Sequence, residues 1–477
     1  MEPIGFRYTG GNDRAQSALG MALVALSLGY TLQDKGFYGH RALLWLTISL
    51  ALCASAIVLP AFGEGESFSR RALALVLALG IALQTPLLLA RMDLGPLAIA
   101  GIWLISVLGL LQFLDLRKFR LPLIAIVAVT FVLTFGAALN KSVDPHIDVY
   151  TWQQSGSAAL MQGKNPYEMR IRNPYVHPLF FYGPEVVDAN GYLTYGFPYP
   201  PLSLLMVLPA FLLGGDVRYA QAVAIAGSAA LMALAQPRRE RRIGALAGVL
   251  LLTTPLAFYI LRMAWTEPLL VLNFSLVMFC ACRWRKGLPW ALGLFFATKQ
   301  YTILALPLLP LLAQGPEWWR DVRVLVIKAG ALVAVINLPF LLWNVREFTR
   351  AVVLLQFVQP FRPDALSYLV WAHYHTRWSK PPMWIPLLVV IPAIALALRR
   401  CPRSPAGFAG ALTLVYLLFF AFNKQAFCNY YYFTITTACW SVAAARLPEY
   451  SAGPHAPPGF RTVEGEPGRM GRAHAGA

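Results

Sequence analysis

Charge is what this sequence has least of. Asp, Glu, Lys and Arg make up 13% of its 477 residues, where a soluble globular domain carries about 25%. With 58% of the residues hydrophobic, that shortfall excludes an ordinary water-soluble domain. Acids are the scarcer sign, 22 against 40 Lys and Arg. In a soluble protein the net charge of +18 would point to nucleic acid. Here the basic residues cluster between apolar runs, at 117–120, 238–242, 283–286 and 399–400. That pattern marks loops retained on the cytoplasmic side, with anionic headgroups of membrane lipids within their reach. No nucleic-acid partner is implied.

Other absences narrow the reading further. The six cysteines, Cys53, Cys280, Cys282, Cys401, Cys428 and Cys439, lie mostly inside apolar runs, where Cys acts as a small hydrophobe. No disulfide framework follows. Cys280 and Cys282 have no nearby His and lack metal-ligand spacing. The apolar runs do not alternate, which excludes a membrane β-barrel. No small-residue cleavage site follows the first run, so the polar stretch 1–16 reads as the lead into a retained first span. Residues 447–477, rich in Gly, Pro and Ala, are expected to form a disordered cytoplasmic tail.

Apolar runs of about 15–22 residues recur from Ala18 to near Ala445, and a helix needs about 20 to cross a bilayer. Inside lipid each segment must satisfy its own backbone, which favours helices. The expected fold is therefore an all-α polytopic membrane protein, a single integral domain over 1–446 with roughly 13–14 transmembrane helices. Five spans (17–33, 42–61, 71–91, 95–113, 120–139) precede one long polar loop, 140–198. Ten apolar segments follow it. If 199–213 and 218–236 both cross, the later basic clusters land on the wrong side. If the pair makes one net crossing, every later cluster falls inside. The second arrangement is preferred, because 199–213 is short and holds Pro200, Pro201 and Pro209. The loop then lies on the extracytoplasmic face of an inner or plasma membrane. The segments 265–268, 299–301, 345–380 and 423–430 share that face.

Chemistry concentrates in and around this loop. Asp148 could serve as a general base at the membrane surface, and equally as the N-cap of a helix beginning at Val149. Asp144 and His146 could orient an acceptor, hold a divalent metal with Asp148, or be solvated loop residues. A short helix over 149–162 is expected to end at Gly163 as a left-handed cap. Tyr167 and Tyr199, in Asn-Pro-Tyr and Tyr-Pro-Pro turns, are candidates to line a sugar or lipid path. Lys299 interrupts an apolar stretch, so a basic group there is a functional candidate, its simplest role being to hold a phosphate. Lys424 and Arg262 are further phosphate candidates at helix ends, each with snorkelling to the surface as the plainer reading. Glu267 is expected to pair with Arg262 or Lys299. Glu267 and, flanking these basic positions, Gln300 and Asn423 join Tyr167 and Tyr199 as candidates to line the sugar or lipid path.

These elements together resemble a known family. The loop aspartate, the short helix, Gly-Lys-Asn-Pro-Tyr (163–167) and Tyr-Pro-Pro-Leu-Ser-Leu-Leu-Met-Val-Leu-Pro (199–209) are similar to GT-C fold glycosyltransferases. The nearest likeness is to family 87, the polyprenyl-phosphate-sugar-dependent, mannosyltransferase-like enzymes. Trp-Thr-Glu-Pro-Leu-Leu (265–270), the run 297–312 and the run 422–433 resemble that family's later elements. The resemblance covers roughly Pro122 to Ala445. It implies a GT-C-like core over 120–446, a catalytic loop over 140–198, and added helices over 17–113, because the acidic loop follows the fifth span where the family has it after the first. It further implies inverting transfer of a sugar from a polyprenyl-phosphate donor to a hydroxyl of a lipid-linked or cell-envelope glycan. Asp148 corresponds to the base. Lys299 or Lys424 would meet the charge on the leaving phosphate. A lipid phosphate leaves without help from a metal, so no cofactor is required.

Two other classes compete. A transporter commonly shows paired repeats with broken helices at midplane, and no internal repeat is visible. A glycan polymerase or ligase would carry essential Arg and His in a large second-half loop, and 345–380 contains Arg346, Arg350, Arg362, His373 and His375.

Overall fold

The computed structural model describes residues 15–32, 36–59, 70–90, 94–114, 118–139, 144–175, 181–183, 185–237, 241–313, 315–376, 378, 381–382 and 384–446. The expected N-terminal lead over 1–14, the tail over 447–477, Arg117 and the residues 238–240 lie outside them. The described residues form an all-helical membrane protein. Among them no strand forms, and the β-type pairing is confined to isolated bridges such as Phe37 with Ala365.

The first five helices follow the first five apolar runs: α1 (Ala15–Thr31), α2 (His40–Val58), α3 (Arg70–Ala90), α4 (Pro96–Leu111) and α5 (Arg120–Leu139). The loop carries α6 (Asp148–Met161). Beyond it come α7 (Pro201–Gly214), α8 (Arg218–Leu234), α9 (Arg241–Leu252), α10 (Ala257–Arg262), α11 (Glu267–Arg283) and α12 (Leu288–Phe296). The segment Gln300–Leu312 is a 3-10 helix holding Pro307 and Pro310. Proline has no N–H to give an α-helical carbonyl, which accounts for the tighter winding. Then follow α13 (Trp318–Trp343), a short kinked stretch through Val358, α14 (Tyr368–His375), α15 (Ile385–Arg400), α16 (Pro405–Ala421) and α17 (Cys428–Ala444).

Among the described residues α2, α3, α5 and α13 are each long and apolar enough to cross a membrane, and α7 with α8 adds a fifth if that bent pair counts as one span. The pair is bent by 116°. Both ends of α7 lie against α6: Gly156 faces Leu204 and Phe197, while the Gln154 amide donates to the Gly215 carbonyl. A pair bent this sharply is either one broken span or a re-entrant loop.

The helix ends sort by chemistry. At one end Arg242 lies over Phe113 and Gln236 donates to the Ala443 carbonyl at 3.1 Å. At that end too Arg285 pairs with Asp321 at 2.5 Å and Arg403 lies over Trp318. The basic clusters thus gather together. The loop, Lys299, Glu267 and 423–430 meet at the other end. Charge is costly in hydrocarbon, so a chain with few charges places them where the helices stop.

Close packing in the middle depends on small residues. A side chain on Gly248 would press on the backbone of Ala229, and one on Gly244 on that of Met232. This Gly-x-x-x-Gly face lets α9 approach α8 closely, as membrane helices do where apolar burial alone gives no drive. Gly248→Val should cost about 1–3 kcal/mol by overpacking, read as a lower thermal midpoint in detergent. Gly330→Ala, with open space around it, should leave the midpoint unchanged or raise it.

Candidate active site

The loop folds around α6. Ile147 is extended (φ −144°, ψ 139°) and Asp148 is the first helical residue, its negative charge favoured by the helix dipole. Gly163, at φ +69°, ends the helix as expected. Its N–H donates to the Leu160 carbonyl (3.0 Å) and that of Lys164 to the Ala159 carbonyl (2.9 Å), the paired bonds of a Schellman cap. α6 is anchored at Ala264, whose carbonyl accepts from both Gln153 and Gln221. Ala264 has φ +54°, a costly conformation for a residue with a Cβ.

Asp148 is not the N-cap. An N-cap side chain accepts from the second or third helical N–H, whereas the Asp148 carboxylate accepts from the adjacent Val149 N–H at 2.7 Å. Its other bonds come from side chains far along the chain. The Tyr175 hydroxyl donates to Oδ1 at 3.0 Å, and the Tyr182 hydroxyl donates to Oδ2. Desolvation pushes its pKa up from 3.8 to about 6, against the opposing pull of the Tyr175 and Val149 hydrogen bonds and the Arg362 charge.

An aromatic wall continues from this carboxylate. Tyr175 stacks on Phe181 at 4.0 Å, Tyr182 meets Tyr195 edge-on, and Tyr195 packs on Trp152. Tyr199 feels the charges of both Asp148 and Glu267, so it stands between the loop carboxylate and the cluster at the ends of α11 and α12. In that cluster the buried Lys299 ammonium is ion-paired to Glu267 and donates to Thr266 Oγ1 at 2.9 Å. It faces the rings of Tyr199, Tyr301 and Tyr430 at 5.3–5.5 Å. Of the two partners expected for Glu267, Lys299 is the one observed. Glu267 is fully buried, and its Oε2 makes no hydrogen bond among the described residues.

The remaining candidates fall in different places. Tyr167 does not line a path. It is wholly buried among Phe197, Phe340 and Phe348, and its hydroxyl donates to the Tyr199 carbonyl at 2.9 Å, so it holds Tyr199 in place. Asp144 is exposed and turned toward the Tyr150 hydroxyl (3.0 Å) and Arg218 (3.6 Å), partners that Asp148 does not share. His146 is exposed. Among the described residues no three His, Cys, Asp or Glu side chains converge as metal ligands. Lys424 is a strut: its ammonium donates to the carbonyls of Gln356 (2.9 Å) and Gln359 (2.7 Å), and burial pushes its pKa down to about 8. Gln300 ties Pro198 to Val352 through its amide, and Asn423 accepts from the Gln425 N–H at 3.4 Å. Arg262 is half-buried with an unbonded Nε, and its carbonyl accepts from Arg218.

One residue that the sequence reading had placed only under the competing polymerase or ligase class stands at this site. Arg362 is near enough to influence Asp148 and Tyr175 electrostatically. Its guanidinium lies over Phe181 at 4.3 Å and Phe427 at 4.9 Å, and is forked onto Asp364. Arg-Pro-Asp between Phe361 and Ala365 was the available signal, in a segment already placed on the loop's face. His373 and His375, by contrast, bond the carbonyls of Trp378 and Trp371. No family model, curated protein or solved structure matches this chain.

Because the folded protein keeps Asp148 protonated above its ordinary range, it binds more protons than the unfolded chain between about pH 4 and 6. This group's contribution to stability therefore falls as pH rises through that window, and Asp148→Asn should remove that dependence. Tyr175→Phe takes away a donor to the ionised form, so the Asp148 midpoint should move above about 6. Isotope-edited infrared titration of the carboxyl band measures it, and an unchanged or lower midpoint contradicts the assignment.

Proposed function

We propose that this protein is a membrane glycosyltransferase that moves a sugar from a polyprenyl-phosphate donor to a hydroxyl of a lipid-linked or cell-envelope glycan, with inversion, at the extracytoplasmic face. The observation that carries the reading is Asp148: a desolvated carboxylate titrating near pH 6, fixed by two tyrosine hydroxyls at the head of an aromatic wall. A general base is most effective with a pKa near the working pH, and sugar rings stack on aromatic faces. The alternation of helices between the basic end and the site end supports a multi-span bundle: among the described residues four helices, or five with the bent pair, are long and apolar enough to cross, and four shorter apolar helices accompany them.

In the reaction Asp148 accepts the proton of the acceptor hydroxyl. The acceptor oxygen forms a bond to the anomeric carbon, and the bond from that carbon to the phosphate oxygen breaks. The transition state resembles an oxocarbenium ion, as in glycoside hydrolysis. The electron pair leaves on polyprenyl phosphate, where preorganised positive charge stabilises it. Of the predicted cations Lys299 is best placed, since the ring of Tyr199 lies against it while Tyr199 also feels Asp148. The ammonium of Lys424 is already committed to backbone carbonyls.

In proteoliposomes supplied with a labelled polyprenyl-phosphate sugar, Asp148→Asn should lower transfer by roughly 10²–10⁴-fold at an unchanged thermal midpoint. Near-normal turnover would remove Asp148 as the base. In the wild type the rate should rise with pH through an apparent pKa near 6. Removing Lys299 alone would strand the buried Glu267 charge, itself destabilising by about 3–5 kcal/mol. The charge-neutral double variant Lys299→Gln/Glu267→Gln avoids this. It should fold but use the donor poorly, and unchanged donor KM and kcat would end the phosphate role.

A further inference from the structure

The turn between α1 and α2 sits against the candidate site. Its backbone bridges to Ala365 through Phe37, and the Tyr38 N–H donates to the Asp364 carbonyl at 2.9 Å. Phe37 meets Phe427 edge-on at 6.0 Å. Tyr38 stacks on Tyr374, and Thr47 shares a 2.6 Å hydrogen bond with the Tyr368 hydroxyl. Gly36, at φ +72°, leaves no room for a side chain beside the backbone of Cys428. Every one of these contacts falls on 364–374 or 427–428, the two segments that hold Arg362. Asp364 grips the guanidinium from one side. The rings of Phe427 and Phe181 both lie against it. Phe181 in turn stacks on Tyr175, which donates to Asp148.

We infer that the N-terminal helical hairpin is part of the site, and that its turn at 36–39 positions Arg362 beside Asp148. Helix packing between α1, α2 and α17 needs no backbone bridge from the turn to Ala365 and no ring contact with Phe427. Those contacts lock the one loop that carries a positive charge toward the carboxylate. Gly36 and Phe37 act as positioning residues through Arg362. The inference rests on reading Asp148 as the reactive carboxylate. Among the described residues, the groups facing Asp148 are Tyr175 and Tyr182 as donors, with Arg362, Tyr195, Tyr199 and Tyr430 in electrostatic reach. Arg362 is the only cation in that set, so its displacement has a sign: the ionised carboxylate loses support.

The test is the Asp148 midpoint in the purified full-length protein, followed by infrared titration, with sugar transfer measured in parallel. Phe37→Ala and Gly36→Ala should each raise the midpoint, by roughly half a pH unit or more for one displaced neighbouring charge. Gly39→Ala, with nothing around it to meet, should leave it in place. In an Arg362→Gln background, itself raised, Phe37→Ala should add nothing. If Gly36→Ala does not fold, Phe37→Ala carries the comparison. A folded Phe37→Ala protein with an unmoved midpoint, or the same added rise without Arg362, overturns the inference. A wild type that shows the coupling yet transfers no sugar supports the inference and sinks the transferase reading.

Discussion

The cost of placing charge in an apolar bundle governs this molecule. A charged group far from water must be paired or sent to a helix end, and both solutions appear. Arg242, Arg285 and Arg403 collect at one end with aromatic or acidic neighbours. At the other end Lys299 and Glu267 neutralise each other out of reach of water. Asp148 is desolvated, and its hydrogen bonds among the described residues come from hydroxyls and a backbone N–H. It is held by hydroxyl groups, which support a carboxylate without neutralising it, and Arg362 acts on it from beyond those hydroxyls. That leaves a carboxyl group whose pKa is raised to about 6.

Tyrosine is well suited to this setting. Its ring packs against apolar neighbours while its hydroxyl reaches a polar group. Tyr175 and Tyr182 use both properties at Asp148. Tyr167 uses them one layer back, burying its ring and bonding the Tyr199 carbonyl. Tyr199 then connects the loop to the Lys299 cluster. The site is thus two charge centres joined by an aromatic partition, with α6 pinned to the carbonyl of Ala264, a residue held at positive φ.

Much of this was legible in the chain. The helical class, the first five helices and the cap at Gly163 all follow from local pattern. That 265–268, 299–301, 345–380 and 423–430 share the loop's face was expected from where the basic clusters had to lie; which part of 345–380 reaches Asp148 was not. The roles of single residues were less legible. Asp148 looked like a cap because caps are read from neighbouring residues, whereas its partners lie 27 and 34 residues on. Tyr167 looked like a lining residue, yet burial is decided by Phe340 and Phe348 from distant helices. Lys424 looked like a free cation, but the carbonyls that occupy it belong to a loop some 65 residues earlier.

The sequence by itself determined that the chain forms apolar helices suited to a membrane, where its polar loop falls, and which segments were expected to share the loop's end. Those outcomes depend on hydrophobic run length and on the placement of basic residues, both one-dimensional properties. Only the tertiary structure decided which tyrosines hold Asp148, that Glu267 takes Lys299, and that Arg362 and the first hairpin reach the same carboxylate. Those depend on contacts at hydrogen-bond and ring-stacking distance between segments far apart in the chain, which no local pattern encodes.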